Sequence, residues 1–123
     1  MRRSMALGAL ALLIMPIAAQ AMTVAEFLAK ATALSAKGTT ATASPDLGLL
    51  RDEIRTAAQA YRTVIESART TGGTPRACLP PMGQAKIDSA TLIAAFQKIP
   101  RAQRGTSVRA AFFSFMDKRY PCR

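Results

Sequence analysis

The 123-residue chain carries 17 lysines and arginines against 7 aspartates and glutamates, a formal net charge of +10, with two cysteines and neither histidine nor tryptophan. Without histidine there is no imidazole base, no Ser-His or Cys-His nucleophile and no histidine metal ligand, so the chemistries built on that side chain are excluded. The length allows a single small domain, one that buries only about two-thirds of its unfolded surface and gains from a covalent staple.

Residues 1–21 read as an address. Arg2 and Arg3 precede an apolar run from Met5 to Ile17, Pro16 interrupts it, and Ala19-Gln20-Ala21 places small residues where a signal peptidase reads. The run is shorter than the roughly 18 uncharged residues that a bilayer-crossing helix needs, and the arginine pair lacks the flanking pattern of a twin-arginine signal. The expectation is a cleavable signal peptide over 1–21, ordinary export into an oxidising compartment, no stable membrane anchor afterwards, and one domain over 22–123. Without Arg2 and Arg3 the basic residues fall to 15 against the same 7 acidic ones, a net +8. Such a field favours anionic partners, although arginines that merely cover helix flanks produce the same number.

Four helices follow in chain order. Thr23-Val24-Ala25-Glu26 has the form of a capping box, and Val24, Phe27, Leu28, Ala31 and Leu34 recur at helical spacing up to Gly38, a natural stop. Gly38 to Ser44 (GTTATAS) is a polar connection. Ser44-Pro45 opens the longest helix, with serine as cap and proline at the first position, where it loses no bond. Leu47, Leu50, Ile54, Ala57, Tyr61, Val64 or Ile65, and Ala68 form its apolar face, and Gly72-Gly73 ends it. Arg51, Arg55, Arg62 and Arg69 fall within about 40° of one another on this helix, a stripe beside the buried face that reads as a solvated flank or as a docking strip.

Gly72 to Gln84 is too rich in glycine and proline for a helix. Asp88 or Ser89 then caps a short third helix carrying Leu92, Ile93, Phe96 and Ile99, which Pro100 ends. After a turn at 100–105, Thr106 or Ser107 caps a fourth helix with Val108, Ala111, Phe112, Phe115 and Met116 at core spacing, stopped by Pro121. No stretch shows sustained strand alternation, so the fold class is all-α, a small four-helix domain with one long helix.

The seven carboxylates are scattered, and Gly72-Gly73 and Gly83 do not make a phosphate-cradling loop, so neither catalysis nor a cofactor is expected. Phe96, Phe112, Phe113, Phe115 and Tyr120 mostly occupy core spacing and are not interleaved with arginines, so no nucleic-acid partner is expected either. An even cysteine count in an exported small domain points to a Cys78–Cys122 disulfide. It would close the loop before the third helix onto the end of the fourth and contribute about 4 kcal/mol in the chain-entropy relation. Free thiols, or thiolates from two copies sharing a zinc ion, are the alternatives. The surface expected to meet a partner is the loop around Arg76, Pro80, Pro81 and Met82 with Arg101 and Arg104 in the turn between helices three and four. Exposed basic and apolar residues on connections held by a staple motivate it, and ordinary solvated loops are the plainer reading.

Three stretches carry a family resemblance: Cys78-Leu79-Pro80-Pro81, Leu92 to Pro100 (LIAAFQKIP), and Ala110 to Cys122 (AAFFSFMDKRYPC). Together they resemble the Rap/Tai-type periplasmic immunity proteins, which neutralise peptidoglycan-cleaving amidase effectors of type VI secretion. Those share a Cys-x-Pro before a short helix, a proline ending it, and a last amphipathic helix closing on aromatic-Pro-Cys. The resemblance covers about Cys78 to Cys122. Upstream, where many members have a cysteine before a Gly-Tyr-x-x-Gly stretch, this chain keeps Tyr61 alone. The resemblance implies a periplasmic all-helical protein, commonly a homodimer, that binds an amidase effector and occludes its active-site cleft. A basic module associating with anionic envelope material is the alternative.

Overall fold

A computed structural model describes residues 21–81 and 83–123. All of the expected signal peptide except Ala21 lies outside the described residues, and so does Met82. Among the described residues there are four α-helices: α1 (Val24–Lys37), α2 (Pro45–Thr70), α3 (Ser89–Gln97) and α4 (Val108–Arg119), with 3-10 turns at Gly38–Ala43 and Arg101–Gln103. Among the described residues the only β pairing is an isolated bridge between Thr23 and Ser107. The all-α expectation therefore holds, and none of the described helices is long and apolar enough to cross a membrane.

Each helix begins on the cap that its sequence supplies. The Thr23 hydroxyl accepts from the Glu26 amide (3.2 Å), Ser44 from Asp46 (3.3 Å), Asp88 from Thr91 (2.7 Å) and Ser107 from Ala110 (3.1 Å). Asp88 rather than Ser89, and Ser107 rather than Thr106, take the cap positions. Gly38 ends α1 at φ 58°, a conformation that costs a side-chain-bearing residue about 1 kcal/mol or more.

The polar connection after α1 differs from a plain loop. It winds into a 3-10 turn in which the Thr40 and Thr42 hydroxyls donate to the Lys37 and Thr39 carbonyls (2.8 and 3.3 Å). Threonines that bond back to the preceding turn keep such a segment coiled without an apolar face.

The first turn of α1 is finished by another part of the chain. The Val24 and Ala25 amides donate to the Thr106 and Arg104 carbonyls, and the Val108 amide opening α4 donates to the Met22 carbonyl, all at 2.9 Å. The N-termini of α1 and α4 thus satisfy donors that a helix start otherwise leaves open.

The core lies where α2 packs on α4 and α1 packs on α2 and α3. Tyr61, Phe96, Val24 and Val108 are its most deeply buried large side chains. Phe27 meets Phe96 edge-on at 5.4 Å, and Tyr61 meets Phe113 and Phe112 the same way at 5.0 and 6.3 Å. On α2 it is Ile65 that is buried, while Val64 faces outward. On α4, Phe115 is only half-buried and Met116 takes the interior position.

Candidate functional site

The described residues between α2 and α3 form no helix or strand, yet consecutive ones pin the segment to α4 and the residues just after it. Ala77 is fully buried. Cys78 and Cys122 form a disulfide with Cα atoms 4.8 Å apart, and the Cys78 amide donates to the Tyr120 carbonyl (2.9 Å). The expected staple is present, and the free-thiol and shared-zinc alternatives fall away. Among the described residues no cluster of three or more metal-ligating side chains occurs.

Arg76 makes the third attachment. Its Nε and Nη2 donate to the two carboxylate oxygens of Asp117 on α4, at 2.9 Å to Oδ1 and 2.6 Å to Oδ2. The Tyr61 hydroxyl of α2 donates to Asp117 Oδ1 at 2.7 Å. The same guanidinium lies over the Phe113 ring, 5.1 Å from its centroid. Hydrogen bonding from Arg76 holds the Asp117 carboxyl below its usual range, with the Tyr61 hydroxyl adding to the effect against the opposing pull of burial. Burial first, and the Asp117 carboxylate second, push the Tyr61 phenol well above its ordinary value. This is a charge-assisted knot that orients a loop.

Arg76 is thus committed to Asp117 within the fold while its side chain stays partly exposed. Arg104 is committed as well. Its Nε donates to the Ile99 carbonyl (2.9 Å) and its Nη2 to the Gln97 carbonyl (2.7 Å), closing the C-terminus of α3. Neither bond was visible in the sequence, because an exposed-looking arginine in a loop carries no mark of a distant acceptor.

Four of the six expected contact residues separate into two places. Arg101 and Arg104 border a shallow depression of about 460 Å³ against Ala25, Leu28, Ala29 and Thr32 of α1. Pro80 and Pro81 form one wall of a second depression, about 310 Å³, whose other wall is α2. Leu79 is its apolar surface, the buried Ile65 closes its floor, and Arg62, Glu66 and Arg69 stand on the α2 side. Arg69 pairs with Glu66 at 3.6 Å. Arg55, further along the same row, pairs with Asp52 at 3.1 Å, and Arg62 has no ion-pair partner among the described residues.

Arg62 and Arg69, the C-terminal half of the arginine stripe on the long helix, are therefore the rim of a groove whose opposite rim is a pair of prolines. The sequence displayed both rims but not that they face one another. Comparison with family models, with curated proteins and with solved structures gave no match.

Proposed function

We propose that the chain is an exported binding protein, an inhibitor of the Rap/Tai immunity type that binds and occludes a peptidoglycan amidase effector. The observation that carries this reading is the Cys78–Cys122 disulfide. It joins the Cys-Leu-Pro-Pro loop before α3 to the Tyr-Pro-Cys terminus after α4, the two stretches on which the family resemblance chiefly rests. The capped four-helix scaffold and the absence of histidine from the chain fit a protein that acts by contact and not by catalysis.

The test is direct. Purified residues 22–123 are titrated into peptidoglycan digests run by amidase effectors encoded beside the gene, and release of cleaved stem peptides is measured. Stoichiometric inhibition of one such enzyme supports the reading. Undiminished cleavage by all of them at excess protein overturns it. The row of arginines on α2 favours one competing reading, a basic module retained on anionic envelope polymers. In that case the protein binds isolated envelope fractions, inhibits nothing, and elutes with moderate salt.

A further inference from the structure

The groove between α2 and the Leu79–Pro81 segment combines features that jointly restrict its occupant. At about 310 Å³ it sits at the bottom of the roughly 300–1,000 Å³ range of small-molecule sites. It is also an open trough between a helix and a loop, so it suits one or two apolar side chains better than an enclosed ligand. Half-buried Leu79 supplies apolar contact, Pro80 and Pro81 a wall with restricted backbone torsions, and the buried Ile65 closes the floor beneath them.

Charge then selects among partners. Arg55, Arg62 and Arg69 recur every seven residues, so their Cα atoms rise along the α2 axis in steps of about 10 Å. A second helix lying alongside presents carboxylates at that interval when they too are seven residues apart, the way flanking charges match in paired helices. Among the described residues Arg62 is the rim cation without an acidic partner, whereas Arg55 and Arg69 each hold a neighbour on their own helix. A second copy of this chain is a poor occupant, because self-packing centred here sets four guanidinium groups (Arg62 and Arg69, twice) against the two Glu66 carboxylates.

We propose that this groove docks an acidic amphipathic helix of a partner protein, with an apolar side chain seated against Leu79–Pro81 and carboxylates meeting Arg62 and Arg69. The proposal deepens the inhibitor reading, on whose protein-binding premise it rests. The groove supplies the apolar contact, and the arginines supply orientation and a faster approach.

The probe is a fluorescein-labelled, alanine-based helical peptide with glutamates seven residues apart and a leucine between them, titrated by anisotropy against residues 22–123 with the disulfide intact. Saturable binding is expected. R62E/R69E should weaken it by about tenfold or more, and exchanging the peptide leucine for serine by a similar factor. R109E, away from the groove, should leave it unchanged. Arg69 is exposed and Arg62 half-buried at the rim with no ion pair to lose among the described residues, so folding should persist. If R62E/R69E fails to fold, P81E on the opposite wall replaces it.

Absence of saturable binding overturns the proposal. So does equal binding by R62E/R69E, and so does equal binding of the serine peptide or of polyglutamate, which would mark a general polyanion surface. An amidase inhibited equally by the wild type and by R62E/R69E overturns the groove while leaving the inhibitor reading intact. Peptide binding by a protein that inhibits no amidase does the reverse.

Discussion

Replacing Asp117 with asparagine keeps the side chain's shape and an acceptor oxygen while removing the charge that Arg76 and Tyr61 both bind. The Tyr61 hydroxyl bond at 2.7 Å changes from charge-assisted to neutral, a loss of about 1 kcal/mol. The Arg76 pair is bidentate, but the arginine side chain is 42 % exposed, so solvent limits its share to about 0.5–1 kcal/mol. D117N should therefore cost about 1.5–2 kcal/mol. D117A also strands the phenol of a buried tyrosine and should cost about 1 kcal/mol more.

The assay is urea unfolding followed by circular dichroism at pH 7, with Y61F and Y61F/D117N completing a double-mutant cycle. A coupling of at least about 0.5 kcal/mol is expected for groups sharing one hydrogen bond. The pH dependence follows from the two shifts. The Asp117 carboxyl is lowered in the folded state, so its contribution is fully present above the ordinary carboxylate value of about 4 and is lost as pH falls through the folded value. The Tyr61 phenol is raised, so its contribution is present below about pH 10 and is lost at still higher pH. Wild type should thus lose stability relative to D117N as the pH drops below about 4. A D117N cost under about 0.5 kcal/mol, or the same acid dependence in both proteins, would refute the knot.

Removing the staple with C78A/C122A should lower stability by about 4 kcal/mol in urea unfolding, since the bond spans a separation of 44 residues. Alkylation of both cysteines in unreduced protein would contradict the bond itself. R104A deprives the Gln97 and Ile99 carbonyls of their donor, and because water can replace part of it the expected cost is about 1 kcal/mol, read as a fall of about 4–8 °C in melting temperature. An unchanged melting temperature would mean that the α3 terminus needs no such cap. Neighbouring positions on α2 should separate cleanly: I65A loses about 2–4 kcal/mol and V64A less than about 0.5 kcal/mol, and similar costs would be inconsistent with the observed rotation of the helix.

The elements most legible in the sequence are those set by local chemistry. Thr23, Ser44, Asp88 and Ser107 announce four helix starts because a cap bonds to an amide two or three residues away. Gly38 and Pro121 mark ends for equally local reasons, and the disulfide follows from there being only two cysteines. Periodicity leaves Val64 and Ile65 undecided, since both lie within the angular spread of one apolar stripe. Only packing in the folded core chooses between them. The attachments of the Arg76 loop are less visible still. Asp117 lies 41 residues from Arg76 and 56 from Tyr61, and nothing in a loop sequence names an acceptor so distant. For the groove, Arg62, Arg69, Pro80 and Pro81 were each noticeable, but their meeting depends on the path of a segment held by those long-range bonds.

That path bears on what the basic charge is for. Arg76 is spent on Asp117, Arg104 on the end of α3, and Arg119 donates to the Lys86 carbonyl and lies over the Phe115 and Tyr120 rings. These arginines hold the fold, so net charge overstates what a partner meets. The cations along α2 differ, being anchored by nothing stronger than neighbours on their own helix. The wall opposite them is fixed in advance, because Arg76, Ala77 and Cys78 are attached to the body immediately before Leu79, and two prolines follow. A partner entering there has little loop to order, which spares about 0.5–1.5 kcal/mol for each side chain already held in place. The knot and the disulfide thus stabilise the domain and, by the same contacts, keep one charged groove in shape.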